Sequence, residues 1–146
     1  MRINDIMTPN PAVVTPDSTA REAAGLMRKC DCGAIPVVES QENRRPIGIV
    51  TDRDLAVRGL ADGRGPDTLV RELMTERPHA ARADDEVETV RQVMMQQKIR
   101  RVLVTDAGGT VIGMVAQADL ARHDEAVSDK ELGKVVEAIS EPGEKA

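Results

Sequence analysis

Four consecutive residues, Thr51-Asp52-Arg53-Asp54, concentrate more usable chemistry than any other stretch of this 146-residue chain. A Thr three positions ahead of an Asp has the spacing of a capping box. Each side chain then answers the other residue's backbone N–H and stabilises a helix start by about 1 kcal/mol. The same spacing also suits binding. A helix start offers N–H groups to an anion; Asp54 can accept from both hydroxyls of a ribose, and Thr51 can bond a phosphate or ribose oxygen. A basic set, Lys98, Arg100 and Arg101, stands further along the chain. A guanidinium fork donates two parallel hydrogen bonds to phosphate. The structural alternative for these arginines is a solvated strand edge, where neighbouring residues face opposite ways. Ile49, Ile35 and Pro36 have the character of aliphatic walls for a base, or of plain core packing.

Other chemistry is excluded or weak. Asp52, Asp54, Asp119 and His123 form no nucleophile–base pattern, and neither a Walker loop nor a G-x-G-x-x-G occurs. No catalytic residue and no enzyme activity are expected. Cys30 and Cys32 are the only cysteines. On an extended chain a C-x-C pair points its thiols to opposite faces, so a bond between them would be strained. Cys32 reads as a small core hydrophobe, with a metal or redox role as the alternative. His79 and His123 are too scattered to complete a zinc set, so no metal is expected. The chain has no Phe, Tyr or Trp and a net charge of -5. Its core must be aliphatic, a bound base cannot stack on a ring, and a nucleic-acid partner is disfavoured. Residues 1–14 lack the apolar stretch of a signal peptide, and no apolar run is long enough to span a bilayer. A cytoplasmic protein with no membrane partner is expected.

The elements that must hold these residues come in two copies. With Met7-Thr8 aligned to Met74-Thr75, Pro11 meets Pro78, Asp17 meets Asp84, Met27 meets Met94 and Val37 meets Val104 without a gap. Ile3 and Ile6 meet Val70 and Leu73. After a shorter loop in the second copy, Gly48 meets Gly113, Val50 meets Val115, and Asp54-Leu55-Ala56 meets Asp119-Leu120-Ala121. Each copy predicts a short strand (12–14; a weaker 79–81), a helix (19–29; 86–97) and a strand (34–38; 102–105). A turn, a further strand (47–50; 111–115) and a closing helix from Asp52 or Gln117 follow. Ser18 and Asp85 are the expected N-caps. Ala20, Ala23, Ala24 and Met27 share one helical face, as do Val87, Val90 and Met94. One copy leaves a sheet face uncovered; two can close sheet to sheet with helices outside. At the far end, Ser128-Asp129-Lys130-Glu131 has the form of a capping box. Leu132, Val135, Val136 and Ile139 beyond it form an apolar stripe at helical spacing, suited to the domain itself or to a dimer contact. Residues 141–146 read as a frayed tail.

Asp5-Ile6-Met7-Thr8, Gly33-Ala34-Ile35-Pro36-Val37-Val38 and Gly48-Ile49-Val50-Thr51-Asp52-Arg53-Asp54-Leu55 resemble the CBS module, named from cystathionine β-synthase. The second copy, through Lys98 to Val104 and Gly113 to Leu120, resembles it too, and the small size resembles bacterial stand-alone pairs. The resemblance implies an α+β fold: tandem β-α-β-β-α modules packed sheet to sheet about a pseudo-twofold, with a C-terminal helix added. The division expected is module 1 over residues 1–60, a linker over 61–69, module 2 over 70–124, and a helix and tail over 125–146. It also implies a regulatory, stress-related role, a homodimer, and an adenosyl ligand such as AMP, ADP, ATP or S-adenosylmethionine. The output would pass to an unidentified effector protein or to the oligomer itself. In that family the matching Thr and Asp contact the nucleotide. Basic residues at the strand start reach across to phosphates held against the other copy. One site would therefore combine Thr51 and Asp54 with Arg100 and Arg101. The mirror site, with Asp119 but Ala116 in place of Thr51 and no basic group near it, would be weak or empty. The competing reading is an interaction module that has lost nucleotide binding.

Overall fold

A computed structural model describes the backbone of residues 1–139 and the side chains of residues 1–128. In chain order the elements are β1 (Thr8–Pro9), α1 (Ala20–Cys30), β2 (Ala34–Val38), β3 (Pro46–Thr51) and α2 (Asp52–Asp54). A wider π-type turn, Leu55–Leu60, continues α2. Then come β4 (Thr75–Glu76), β5 (Ala80–Arg82), α3 (Val87–Gln97), β6 (Arg101–Thr105), β7 (Val111–Ala116) and α4 (Gln117–Ile139). Two sheets form, in the orders β2-β3-β4 and β1-β7-β6-β5. The mixed α+β architecture with paired halves is the expected one. Among the described residues no helix is long and apolar enough to cross a membrane.

The halves exchange their leading segments. β1 precedes the first half but pairs antiparallel with β7 of the second, and β4 pairs with β3 of the first. The N–H of Ile3 donates to Asp85 at 2.9 Å and that of Asn4 to Ala83 at 3.0 Å. Their repeat equivalents do the same in reverse: Val70 donates to Ser18 at 2.7 Å and Arg71 to Pro16 at 3.1 Å. Ile3 is fully buried in the core of Val87, Val90, Met94, Val102, Val104 and Val115. Val70 and Leu73 are buried in the other core, with Val14, Ala23, Ile35, Val37 and Val50. A third cluster, Val13, Val38, Leu103 and Val111 with Ile49 and Met114 against it, is the seam between the sheets. All three are aliphatic, as a chain without aromatic residues requires.

Several local expectations are corrected. Segment 12–14 makes only one parallel bridge, Val14 to Val37, whereas its counterpart forms β5, paired along three residues with β6. The cause is Pro36. In the second half Leu103 donates to the carbonyl of His79 at 2.9 Å; Pro36, at the equivalent position, has no N–H to give Ala12. The N-cap of α1 is Thr19, whose Oγ1 accepts from Glu22 at 3.1 Å, not Ser18. The N-cap of α3 is Glu86, not Asp85, and it makes no side-chain cap bond. Ser18 and Asp85 instead close the turn before each helix, accepting from the N–H of Thr15 at 3.0 Å and Arg82 at 2.9 Å. Ala24 is exposed rather than core-facing, while Val87, Val90 and Met94 are all buried. Helix α4 runs unbroken past Ser128, so that residue caps nothing. The side chains of Leu132, Val135, Val136 and Ile139, and residues 141–146, lie outside the described residues.

Candidate functional site

Strand β3 delivers Thr51 to the start of α2, and the capping box is real and reciprocal. Asp54 Oδ2 accepts from the Thr51 N–H at 2.9 Å, and Thr51 Oγ1 accepts from the Asp54 N–H at 3.1 Å. The Asp54 side chain is only 13% exposed and its other oxygen lies 3.8 Å from Arg58 Nε. The expected free N–H groups at this helix start are absent. Asp52 N–H donates to Gly33 O at 2.9 Å and Arg53 N–H to the Asp52 carboxylate at 2.8 Å, while that of Asp54 is held by Thr51. An anion here must be met by side chains.

Arg101 supplies one. It opens β6 opposite Ala116, yet its guanidinium crosses the seam to the first half. A β-carbon built on Gly33 would stand 3.4 Å from Arg101 Nη2 and 2.9 Å from Asp52 Oδ2. Gly33 therefore gives the guanidinium and the Asp52 carboxylate room to converge at the start of α2. Arg100 is exposed and its carbonyl accepts from Gln117 at 3.0 Å. Of this predicted pair, Arg101 is the one that the contacts of the described residues bring to the α2 start. Ile35 and Pro36 are buried in β2, and Ile49 packs against the seam. Gly33 and Arg58 were given no site role by the sequence, and Asp52 was weighed only for a hydrolytic one. The spacing of Arg58 four residues after Asp54 was the available signal.

The mirror position differs. Asp119 is 7% exposed and accepts from the Ala116 N–H at 2.7 Å, keeping half of the box. Its other oxygen is taken by Arg122. A basic group does stand there, contrary to expectation: one turn along α4, it neutralises the carboxylate from its own helix.

The cysteines also depart from expectation. Asp31 lies between them in the left-handed region, φ 53 and ψ 50, as the C-cap of α1. The chain is therefore not extended there, and both cysteines border one cavity. Burial pushes the Cys32 thiol up, and the adjacent Cys30 thiol adds to the shift. Cys32 is half-buried against the first core. Among the described residues no group of three or more His, Cys, Asp or Glu side chains is placed to hold a metal ion.

Two exchanged sheets with a cap-bearing helix start in each half define a tandem module pair, and comparison with known proteins gives the family. The model of the CBS domain matches residues 3–59 and again 70–126. The chain belongs to the CBS domain family. It is 37% identical over 138 residues to the CBS domain-containing protein YhcV of Bacillus subtilis, covering 94% of both chains. It is 32% identical over 139 residues to Hypoxic response protein 1 of Mycobacterium tuberculosis, covering 94% of this chain and 93% of that one. Among solved structures, Hypoxic Response Protein I with two coordinated zinc ions superposes with a TM-score of 0.73 at 33% identity, covering 84% of this chain and 98% of that one. The CBS domain pair of MJ0100 in complex with 5-methylthioadenosine and S-adenosyl-L-methionine gives 0.77 at 26% identity, covering 86% and 97%. CBSX2 in complex with AMP gives 0.72 at 26% identity, covering 87% and 98%.

Proposed function

We propose that this protein is a non-catalytic sensor module that binds an adenosyl nucleotide (AMP, ADP, ATP or S-adenosylmethionine) in the cleft between its halves. The observation that carries the reading is the Arg101 guanidinium, which leaves the second half to stand beside Gly33 and the α2 start of the first. Thr51 and Asp54 hold the ribose and the near phosphate, Arg101 meets the phosphate charge, and Ile35, Pro36 and Ile49 wall the base. Arg100 completes the basic rim on the solvent side. Relatives of the same fold carry AMP, or methylthioadenosine with S-adenosylmethionine, which is the ligand class this donor set suits. Ligand bound across the seam favours one arrangement of the halves by differential affinity. That bias would pass to a second copy in a homodimer or to a partner protein.

Isothermal calorimetry with AMP, ATP and S-adenosylmethionine tests the reading. Saturable heat with one competent site per chain is the expected result. Absence of both heat and any melting shift at millimolar ligand would overturn it. In that event the chain would act as an interaction module without a nucleotide. The Arg122 cover on Asp119, with Ala116 where the first half has Thr51, favours that second reading for the mirror site.

A further inference from the structure

Three sulfur side chains border one cavity at the seam. The space holds about 200 Å³ and is lined by Cys30, Cys32 and Met114, roofed by residues 8–12 and closed behind by Ala34 and Ile35. Each sulfur is delivered by a different piece of local geometry. Cys30 is the last residue of α1, and the left-handed Asp31 folds the chain back so that Cys32 returns to its side. Met114 comes from β7 of the other half, opposite Thr8 of the exchanged strand β1, and packs against the seam cluster. Neither cysteine is in a disulfide. No carboxylate or imidazole shares the lining.

We propose that Cys30, Cys32 and Met114 form a site for a soft monovalent d10 cation, Cu(I). Thiolate and thioether are the ligand types that favour Cu(I) over harder divalent ions. Two thiolates and one thioether also suit its low coordination number. On binding, each thiol gives up its proton to solvent and forms a copper–sulfur bond. The thioether contributes a lone pair, two protons are released, and the occupied site carries one negative charge. No electron is transferred. Arg28 and Lys29 in the last turn of α1 offset that charge. The site joins the halves, because its third sulfur comes from the second half and its two thiols from the first. It does not depend on the nucleotide reading.

The test is titration of the reduced full chain with Cu(I) under anaerobic conditions, in competition with bathocuproine disulfonate and with no nucleotide present. One Cu(I) per chain is expected. Cys30→Ser and Cys32→Ser should each weaken binding by roughly tenfold or more, with a smaller measurable loss for Met114→Leu. Cys30 is exposed, so Cys30→Ser keeps the test decisive should Cys32→Ser fail to fold; circular dichroism checks each variant. An unchanged affinity in Cys30→Ser overturns the site. An unchanged affinity in Met114→Leu overturns the three-sulfur assignment. One metal shared by two chains would also overturn it, because bridged copies place the thiols between molecules. Failure here leaves the nucleotide calorimetry untouched, and the converse holds.

Discussion

Met74 of the second half lies across Gly48 of the first, its Sδ 2.7 Å from where a β-carbon would stand, with the backbone oxygen of Thr75 at 2.9 Å. The relation is repeated with the halves reversed, for Met7 and the Thr8 oxygen crowd Gly113. The exchanged strands β1 and β4 therefore dock on bare backbone. Gly48→Ala should destabilise the fold by about 1–3 kcal/mol, the usual cost of overpacking. The methionine end can swing aside, but the Thr75 oxygen belongs to the β3–β4 ladder and cannot. Equilibrium urea unfolding measures the loss. A variant as stable as the parent would mean that the exchanged strand is free to lift away.

The aligned Met-Thr pairs and the two glycines were legible in the sequence as a repeat, and so were the helices, both hairpins and the buried stripe Val87, Val90 and Met94. Periodicity reports which residues of a segment share a face, and the repeat doubles that signal. The exchange of β1 and β4 was not legible, because strands of two residues carry no alternation and their partners are remote in sequence. The N-caps were misplaced by one residue, since Ser18 and Asp85 satisfy a cap pattern equally well when they bond backward to residues 15 and 82. The capping box of Thr51 and Asp54 was read correctly. The occupation of the Asp52 N–H was not, because it depends on the Gly33 carbonyl, a tertiary partner.

Asp54 serves the fold and the proposed ligand together, so its removal has two separable effects. Asp54→Ala takes away the acceptor for the Thr51 N–H and should cost about 1 kcal/mol of stability, leaving the protein folded by circular dichroism. Nucleotide heat should disappear. Asp119→Ala should cost a similar amount of stability, through the lost bond to Ala116, and leave that heat in place. A larger binding loss from Asp119→Ala than from Asp54→Ala would move the competent site to the second half.

Arg101 separates one ligand from another. If its guanidinium meets phosphate, Arg101→Ala should weaken AMP and ATP by about 1.5–3 kcal/mol, the range for hydrogen bonds to charged groups. It should spare S-adenosylmethionine, which has no phosphate and carries a sulfonium charge. Calorimetry on the three ligands reads the pattern directly. Equal losses for all three would mean that Arg101 only shapes the cleft. Added salt should weaken AMP binding to the parent more than to Arg101→Ala, because exposed charge pairs are screened.

The halves also differ in how their two helices are joined. Arg91 on α3 holds Asp124 on α4 through two hydrogen bonds, at 2.9 and 2.6 Å, and also reaches Glu88 at 3.0 Å. The first-half equivalents, Ala24 and Gly59, make no such link and border an apolar groove with Leu55 and Pro66. The hydrogen bonds from Arg91 hold the Asp124 carboxyl below its ordinary value, helped by the charge of Arg91 and of His123. The Arg91 guanidinium is raised in turn, chiefly by the Asp124 bond. A carboxylate with a depressed folded pKa adds stability that is present above its unfolded pKa. That stability is lost as pH falls through the folded value. Asp124→Ala should therefore melt below the parent at neutral pH, by a modest amount because the Asp124 side chain is 53% exposed and exposed ion pairs contribute little. The gap should close below the ordinary carboxylate range, where the parent also carries a neutral Asp124. Alanine's higher helix propensity adds a pH-independent offset, so the change in the gap with pH is the quantity to read. Parallel melting curves for the two proteins from neutral pH down to strong acid would show that the Arg91–Asp124 pair does not fasten α4 to α3.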